Sequence, residues 1–168
     1  MLKNKLSVVI ISKNEENFIE DAVKSASFAN EVLILDSGST DRTCNIAKKL
    51  GAKVEYQEWL GFGKQKQKAV ELASNDWVFV LDSDERFTSD LQKEILKLLS
   101  NPEKKGYFVP RLNNFWGKDI KSCGLYPDYS LRLFNRNSGR FNDREVHESV
   151  IIEDEAGYLK NHMKHLAY

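Results

Sequence analysis

The chain has 168 residues, 41% hydrophobic and 30% charged, which suits one soluble globular domain with a proper core. Its 25 basic and 25 acidic side chains cancel, so no global field draws nucleic acid and no nucleic-acid partner is expected. Cys44 and Cys123 fit neither a CxxC motif nor a disulfide framework, and the apolar run 8–11 behind Lys3 and Lys5 is too short for a signal peptide or a spanning helix. A reducing, cytoplasmic setting is the expectation.

Residues 6–12 (LSVVIIS) form a continuous apolar, β-branched run, the signature of a parallel strand buried on both faces. Apolar residues at Phe18, Ile19, Ala22, Val23 and Ala26 then recur at helical spacing, with Asn14 as a candidate N-cap and Glu15 and Glu16 suited to a first turn. Residues 31–36 (EVLILD) form a second strand ending in Asp36, followed by a turn in which Gly38 is free to take positive φ. A helix over about 41–50 stops at Gly51, and 52–56 is a weaker third strand. A loop over 57–63 carries Trp59 and Phe62, and a helix follows over about 64–73.

The fourth strand, residues 78–81 (VFVL), runs straight into Asp82-Ser83-Asp84-Glu85. Asp82 and Asp84 flank a small residue, so both carboxylates can turn toward one point, where a hard divalent cation such as Mg²⁺ would accept them together with substrate phosphates. The bland alternative is an acidic loop that caps the next helix. Residues 89–92 read as a capping box and Asn101-Pro102 as the end of that helix. Strand and helix thus alternate four times, which implies a parallel sheet covered on both faces, with Asp36 and Asp82 together on the edge where such sheets bind ligands.

The second half changes character. Residues 106–112 read as a strand that Pro110 relegates to an edge, and 113–129 as a long aromatic-rich loop of the kind that is usually functional. Residues 130–135 alternate like a half-buried strand, and Arg140-Phe141 and 145–152 suggest two more, as antiparallel additions. Strand alternation over 145–152 would send His147 and Glu148 to opposite faces and leave Glu145 on the His147 face. Lys64, Lys66 and Lys68 suit phosphate contact or a solvated face equally. Arg132 and Arg136 could bind phosphate or pair with Asp128 or Asp143, Trp116 and Tyr126 could stack on a sugar or simply pack, and His162 and His165 read as terminal packing.

The pieces LSVVIISKNEE, LDSGSTD, VLDSDE, WLGFGKQKQKA, NNFWGKDIKSCG, YPDYSLRLFNR and NDREVHESV together resemble family 2 inverting glycosyltransferases of the GT-A fold, more narrowly the bacterial β-1,4-glucosyltransferases of lipopolysaccharide core assembly. The resemblance covers nearly the whole chain. It implies an α/β, Rossmann-like nucleotide-diphospho-sugar transferase fold with a mostly parallel central sheet, helices on both faces and antiparallel additions in the second half. It implies a single domain over 1–168, with 1–100 as the nucleotide-sugar half and 101–168 as the acceptor half, lacking the C-terminal extension of relatives. It further implies a UDP-sugar donor, with glucose as the sugar, a lipid-linked glycan acceptor, Mg²⁺ or Mn²⁺, and work at the inner face of the cytoplasmic membrane with peripheral contact.

Matched residue by residue, the resemblance puts Asn14, Glu15, Asp36, Asp41, Lys66 and Asp82 at the nucleotide, Asp82, Asp84 and His147 at the metal, and Asp128 as the catalytic base, with Glu148 and Glu145 as the other candidates. Competing readings are a sugar-nucleotide binder without turnover and a haloacid-dehalogenase-type phosphatase. The latter places its D-x-D on an early strand and leaves LDSGSTD without a role. No G-x-G-x-x-G follows the first strand, which removes a dinucleotide-binding oxidoreductase.

Overall fold

A computed structural model describes residues 4–121, 124, 126–144 and 147–167. Three apolar runs become β1 (Leu6–Ser12), β2 (Glu31–Asp36) and β4 (Trp77–Val80), and β3 (Lys53–Tyr56) joins them as the weak outer strand. The helices between them are α1 (Ile19–Ala26), α2 (Thr43–Lys49) and α3 (Phe62–Leu72). After β4 come β5 (Glu85–Phe87), α4 (Ser89–Ser100), β6 (Gly106–Phe115), β7 (Lys118–Ile120) and β8 (Asp128–Asn135). The chain ends in β9 (Gly139–Phe141), β10 (Val150–Ile152), β11 (Gly157–Tyr158) and β12 (Met163–Ala167).

The main sheet is 10-stranded, with the path β3-β2-β1-β4-β8-β6-β12-β5 and with β7 and β11 on β6; β9 and β10 form a separate pair. Strands β1 to β4 pair in parallel, and β8 is antiparallel to both β4 and β6. The chain moves outward from β1 to β2 and β3, then returns to place β4 on the other side of β1, so the carboxyl ends of β1 and β4 bound a topological switch point, the usual ligand crevice of an open α/β sheet.

Alternate residues of each central strand feed two cores. Val8, Ile10, Ile34 and Phe79 pack with α1, α2 and α4, whereas Val9, Leu33, Leu35, Val78 and Val80 pack with Ala69 and Val70 of α3, with Ala73 just past its end, and with Phe134 and Phe141. Burial on both faces is why these strands are written as unbroken apolar runs. Among the described residues, no helix is long and apolar enough to cross a membrane.

Several local expectations are corrected. Asn14 does not cap α1, whose N-cap position is Phe18; Asn14 lies at φ 53 and bonds elsewhere. The cap of α4 is Thr88, which accepts from the Leu91 amide, one residue ahead of the expected Ser89. Pro110 does not mark an edge, since β6 lies between β8 and β12. On the β12 side, β11 pairs with Tyr107 and Phe108 and β12 begins opposite Arg111, so the missing amide of Pro110 falls in the gap between them. The segment 113–129 is not one loop: β6 and β7 form a hairpin whose turn is Trp116 (φ 52) and Gly117 (φ 76), both left-handed as a type I′ turn demands. Residues 147–149 are outside any strand, and His147 sits at φ 61, so strand alternation does not set the faces of His147 and Glu148; Glu145 and Cys123 lie outside the described residues.

Phe79 has no exposed surface and joins β4 to the α4 side of the core. Phe79→Ala is expected to cost about 3–5 kcal/mol, read as a lowered urea midpoint at unchanged slope.

Candidate active site

The loops that leave β1 and β2 are laced to each other at the carboxyl edge. Asp36, buried at the end of β2 beside Ser12, accepts from the Ser12 and Ser39 hydroxyls at 2.8 and 2.6 Å and from the Gly38 and Ser39 amides at 2.9 and 2.7 Å. Gly38 reaches that geometry at φ 111, which only glycine adopts freely. Burial works against ionisation of Asp36, and the Ser39, Ser12 and Gly38 donors outweigh it, holding the carboxyl below the usual range. Asn14 Oδ1 accepts from the Thr40 amide at 2.8 Å, its own amide donates to Ser39 Oγ at 2.8 Å, and Asp41 accepts from the amides of Glu16 at 3.2 Å and Thr43 at 3.0 Å. The structure therefore brings Asn14, Asp36 and Asp41 together as the frame of one loop pair.

Beside this frame opens a cavity of about 640 Å³. Lys13, Glu15, Ser37, Lys66, Asp82, Ser83, Asp84 and Glu148 are among the residues that line it. Burial pushes the Glu15 carboxyl up; a hydrogen bond with Ser83 pulls it down, and the charges of Asp84 and Asp41 push it up again. Trp59 and Phe62 meet edge to face, centroids 4.8 Å apart, and give the cavity an aromatic side. Their use as lining was not legible in the sequence beyond the aromatic-glycine run 59–63 that held them.

The acidic turn after β4 separates two jobs. Asp82 faces cations: Lys66 Nζ stands 3.3 Å from Oδ1 and Arg132 Nη2 3.6 Å from Oδ2. Burial alone would raise its pKa, and Arg132 and Lys66 more than reverse that, so Asp82 is held low. Lys66 is buried and also reaches Glu148 Oε1 at 3.1 Å, whereas Lys64 is exposed. Arg132 pairs with Glu85, at 2.7 and 2.9 Å, rather than with Asp128 or Asp143, and Arg136 pairs with Asp76.

Asp84 faces an imidazole. His165 Nε2 lies 3.1 Å from Asp84 Oδ2, and His165 Nδ1 lies 2.8 Å from Asn113 Oδ1. Held at Nδ1 by the Asn113 oxygen, the ring sets Nε2 beside a carboxylate oxygen, a nitrogen and an oxygen donor side by side. The chemistry of this donor pair fits a divalent ion completed by substrate oxygens. His165 corrects the expectation of terminal packing: β12 lies beside β6 and β5, and its register delivers the ring to Asp84. His147 is exposed. Asp128 opens β8 and is gripped by Arg111, with Nη2 2.8 Å from Oδ2.

With this geometry in place, the known proteins it resembles can be named. The Glycosyl transferase family 2 profile matches residues 7–166. The chain belongs to glycosyl transferase family 2. A glycosyltransferase of Rickettsia typhi is 35% identical over 162 residues, covering 92% of this chain and 56% of that protein. The lipopolysaccharide core biosynthesis glycosyltransferase LpsC of Rhizobium meliloti is 32% identical over 159 residues, covering 90% of this chain and 59% of LpsC. The chain thus spans little more than half the length of these relatives. Among solved structures, Staphylococcus aureus TarS in complex with UDP-GlcNAc superposes with TM-score 0.67 at 15% identity, over 98% of this chain and 59% of that one, which shows the GT-A-like fold. Glucosyl-3-phosphoglycerate synthase of Mycobacterium tuberculosis, solved with Mn²⁺ and UDP-glucose, gives TM-score 0.54 at 27% identity, over 66% of this chain and 44% of that one. Family membership sets aside the phosphatase alternative.

Asp36 carries the pH prediction of this site. A carboxyl held low in the folded state contributes stability that is complete above its unfolded value, about 3.9, and is lost as pH falls through the lower folded value. Asp36→Asn is expected to flatten the acid limb of stability measured by urea melts across pH. An unchanged limb would assign acid sensitivity to other carboxylates.

Proposed function

We propose that this chain is the donor-binding and catalytic part of an inverting glycosyltransferase that moves a sugar, glucose by resemblance, from a UDP-sugar to a hydroxyl of a lipid-linked glycan. The observation that carries this is the Asp82-Ser83-Asp84 turn at the switch point of a family 2 fold, with His165 on Asp84 and Glu15 lining the same cavity. The frame made by Asn14, Asp36 and Asp41 presents the edge on which base and ribose are held, and Glu15 lines that edge. Asp84 and His165 would hold Mg²⁺ or Mn²⁺, with Asp82 beside them and His147 as the alternative imidazole. When bound, the ion supplies charge neutralisation to the leaving diphosphate.

Lys66 sits beside Asp82 at the wall where the donor cavity meets a second cavity of about 500 Å³ lined by Arg111, Tyr129, Ser130 and Ser149; Lys66, Asp82 and Glu148 line both. The reacting carbon belongs at that wall, with the donor on one side and the acceptor on the other. Lys66 answers the negative charge that grows on the diphosphate, and a carboxylate takes the proton of the attacking hydroxyl. Asp128 is the base in this reading. Glu148, which reaches both cavities, is the other candidate that the geometry favours. One displacement with one base inverts the anomeric centre. The name of the LpsC relative supports a lipopolysaccharide core acceptor, and such an acceptor would bring the protein to the cytoplasmic face of a membrane.

Two measurements test this. Calorimetric titration with UDP is expected to require Mn²⁺ or Mg²⁺. Asn113→Ala, which frees the His165 ring, should weaken metal-supported binding about 10–100-fold, and Asp84→Ala should abolish it. UDP binding that persists unchanged in EDTA would count against the site. For the base, Asp128→Asn, Glu148→Gln and Glu145→Gln are compared in sugar transfer; the base variant keeps donor affinity and loses about 10²-fold or more in rate. A parent protein that binds UDP-sugar yet never transfers or hydrolyses it would leave the binder without turnover.

A further inference from the structure

A ladder of charges alternating in sign runs from one candidate base to the other. Arg111 holds Asp128 Oδ2 through Nε at 3.1 Å and Nη2 at 2.8 Å, and its Nη1 lies 3.7 Å from Glu85 Oε2. Glu85 takes both arms of Arg132, Arg132 reaches Asp82, and Asp82 meets Lys66, which ends on Glu148. Glu85, the third rung from Asp128, has no exposed surface; it also accepts the Asp82 amide at 2.8 Å.

The outer pair would mean little alone, because Arg111 and Asp128 are 26% and 40% exposed and surface ion pairs contribute little to stability. Its geometry is what stands out. Arg111 grips one Asp128 oxygen with two donors, and the fully buried Glu85 carboxylate 3.7 Å from Nη1 attracts the same guanidinium by charge. Both donors land on Oδ2, and among the described residues Oδ1 accepts a hydrogen bond from none. Arg111 also lines the second cavity together with Tyr129, the neighbour of Asp128.

We propose that Arg111 is a positioning residue whose two donors fix the Asp128 carboxylate by one oxygen and leave the other for the acceptor hydroxyl; this rests on Asp128 being the base. A planar fork suits the task because it fixes orientation as well as charge.

A double-mutant cycle tests it. Arg111→Gln is expected to lower kcat about 10²-fold, the scale of a misplaced catalytic group, with UDP affinity by calorimetry and the thermal midpoint close to the parent. Arg111→Lys, which keeps charge and loses the fork, should fall between the two. In an Asp128→Asn background the Arg111→Gln change should shrink to less than about twofold, since the group it positions is gone. Equal losses in both backgrounds, or a loss confined to donor affinity, would overturn the inference while the transferase reading stands. Should Arg111→Gln fail to fold, the same cycle with Arg111→Lys decides the matter by the same criterion. A folded parent that transfers no sugar from any UDP-sugar overturns the transferase reading, and this inference with it.

Discussion

The bidentate pair between Glu85 and Arg132 is the constraint on which the rest of the site depends. Glu85 carries a charge into the sheet interior, where an unpaired carboxylate would be costly. Burial pushes its pKa up, Arg132 pulls it back, and the nearby Asp82 charge pushes it up again. Arg132 is buried too, and although burial disfavours its charge, Glu85 and Asp82 hold it firmly protonated. Arg132 also donates to the Val80 carbonyl at 2.8 Å, at the last residue of β4. The pair therefore ties β5, β8 and the end of β4 into one rigid corner, and the Asp82-Ser83-Asp84 turn is built on that corner.

A fixed corner explains how two adjacent acids can have different environments. Asp82 is turned toward Lys66 and Arg132, Asp84 toward His165. The amide of Asp82 is committed to Glu85, and the Glu85 amide returns to the Asp82 carbonyl at 3.0 Å, so the turn is closed on itself and cannot swivel. Such preorganisation is what a site needs if its charges are to act on a developing leaving group without first rearranging.

The nucleotide edge is preorganised by a different economy of donors. Asp36 accepts three hydrogen bonds from its own loop and a fourth from Ser12 at the end of β1, so it shapes the edge as the floor of that loop. Asn14 likewise spends its oxygen on the Thr40 amide of the opposing loop, and Asp41 its oxygens on the Glu16 amide opposite and the Thr43 amide of its own segment. Glu15 is the member of this group that lines the cavity, and its raised pKa reflects first its burial and then the charges of Asp84 and Asp41. The aromatic pair Trp59 and Phe62 completes the wall from the β3–α3 loop.

The sequence by itself determined the parallel core and the position of the acidic turn. A strand buried on both faces must be apolar throughout, so β1, β2 and β4 are visible as runs, and acids placed where those runs stop are visible as a ligand edge. Helix periodicity likewise exposed α1, α3 and α4. What failed locally failed through competition for the same donors: Asn14 has the chemistry of a cap, yet the Thr40 amide 26 residues away claims it. Pro110 reads as an edge residue because a missing amide is usually tolerated only there, and the gap between β11 and β12 supplied another way. Only the tertiary structure decided which groups meet. His165 reaches Asp84 across 81 residues and Arg132 reaches Glu85 across 47, through the register of β12 and β8 in the sheet. Period and burial are written in neighbouring residues, but strand register is set by the packing of the whole sheet, and so the partners of a charge cannot be read from the charge's own stretch of chain.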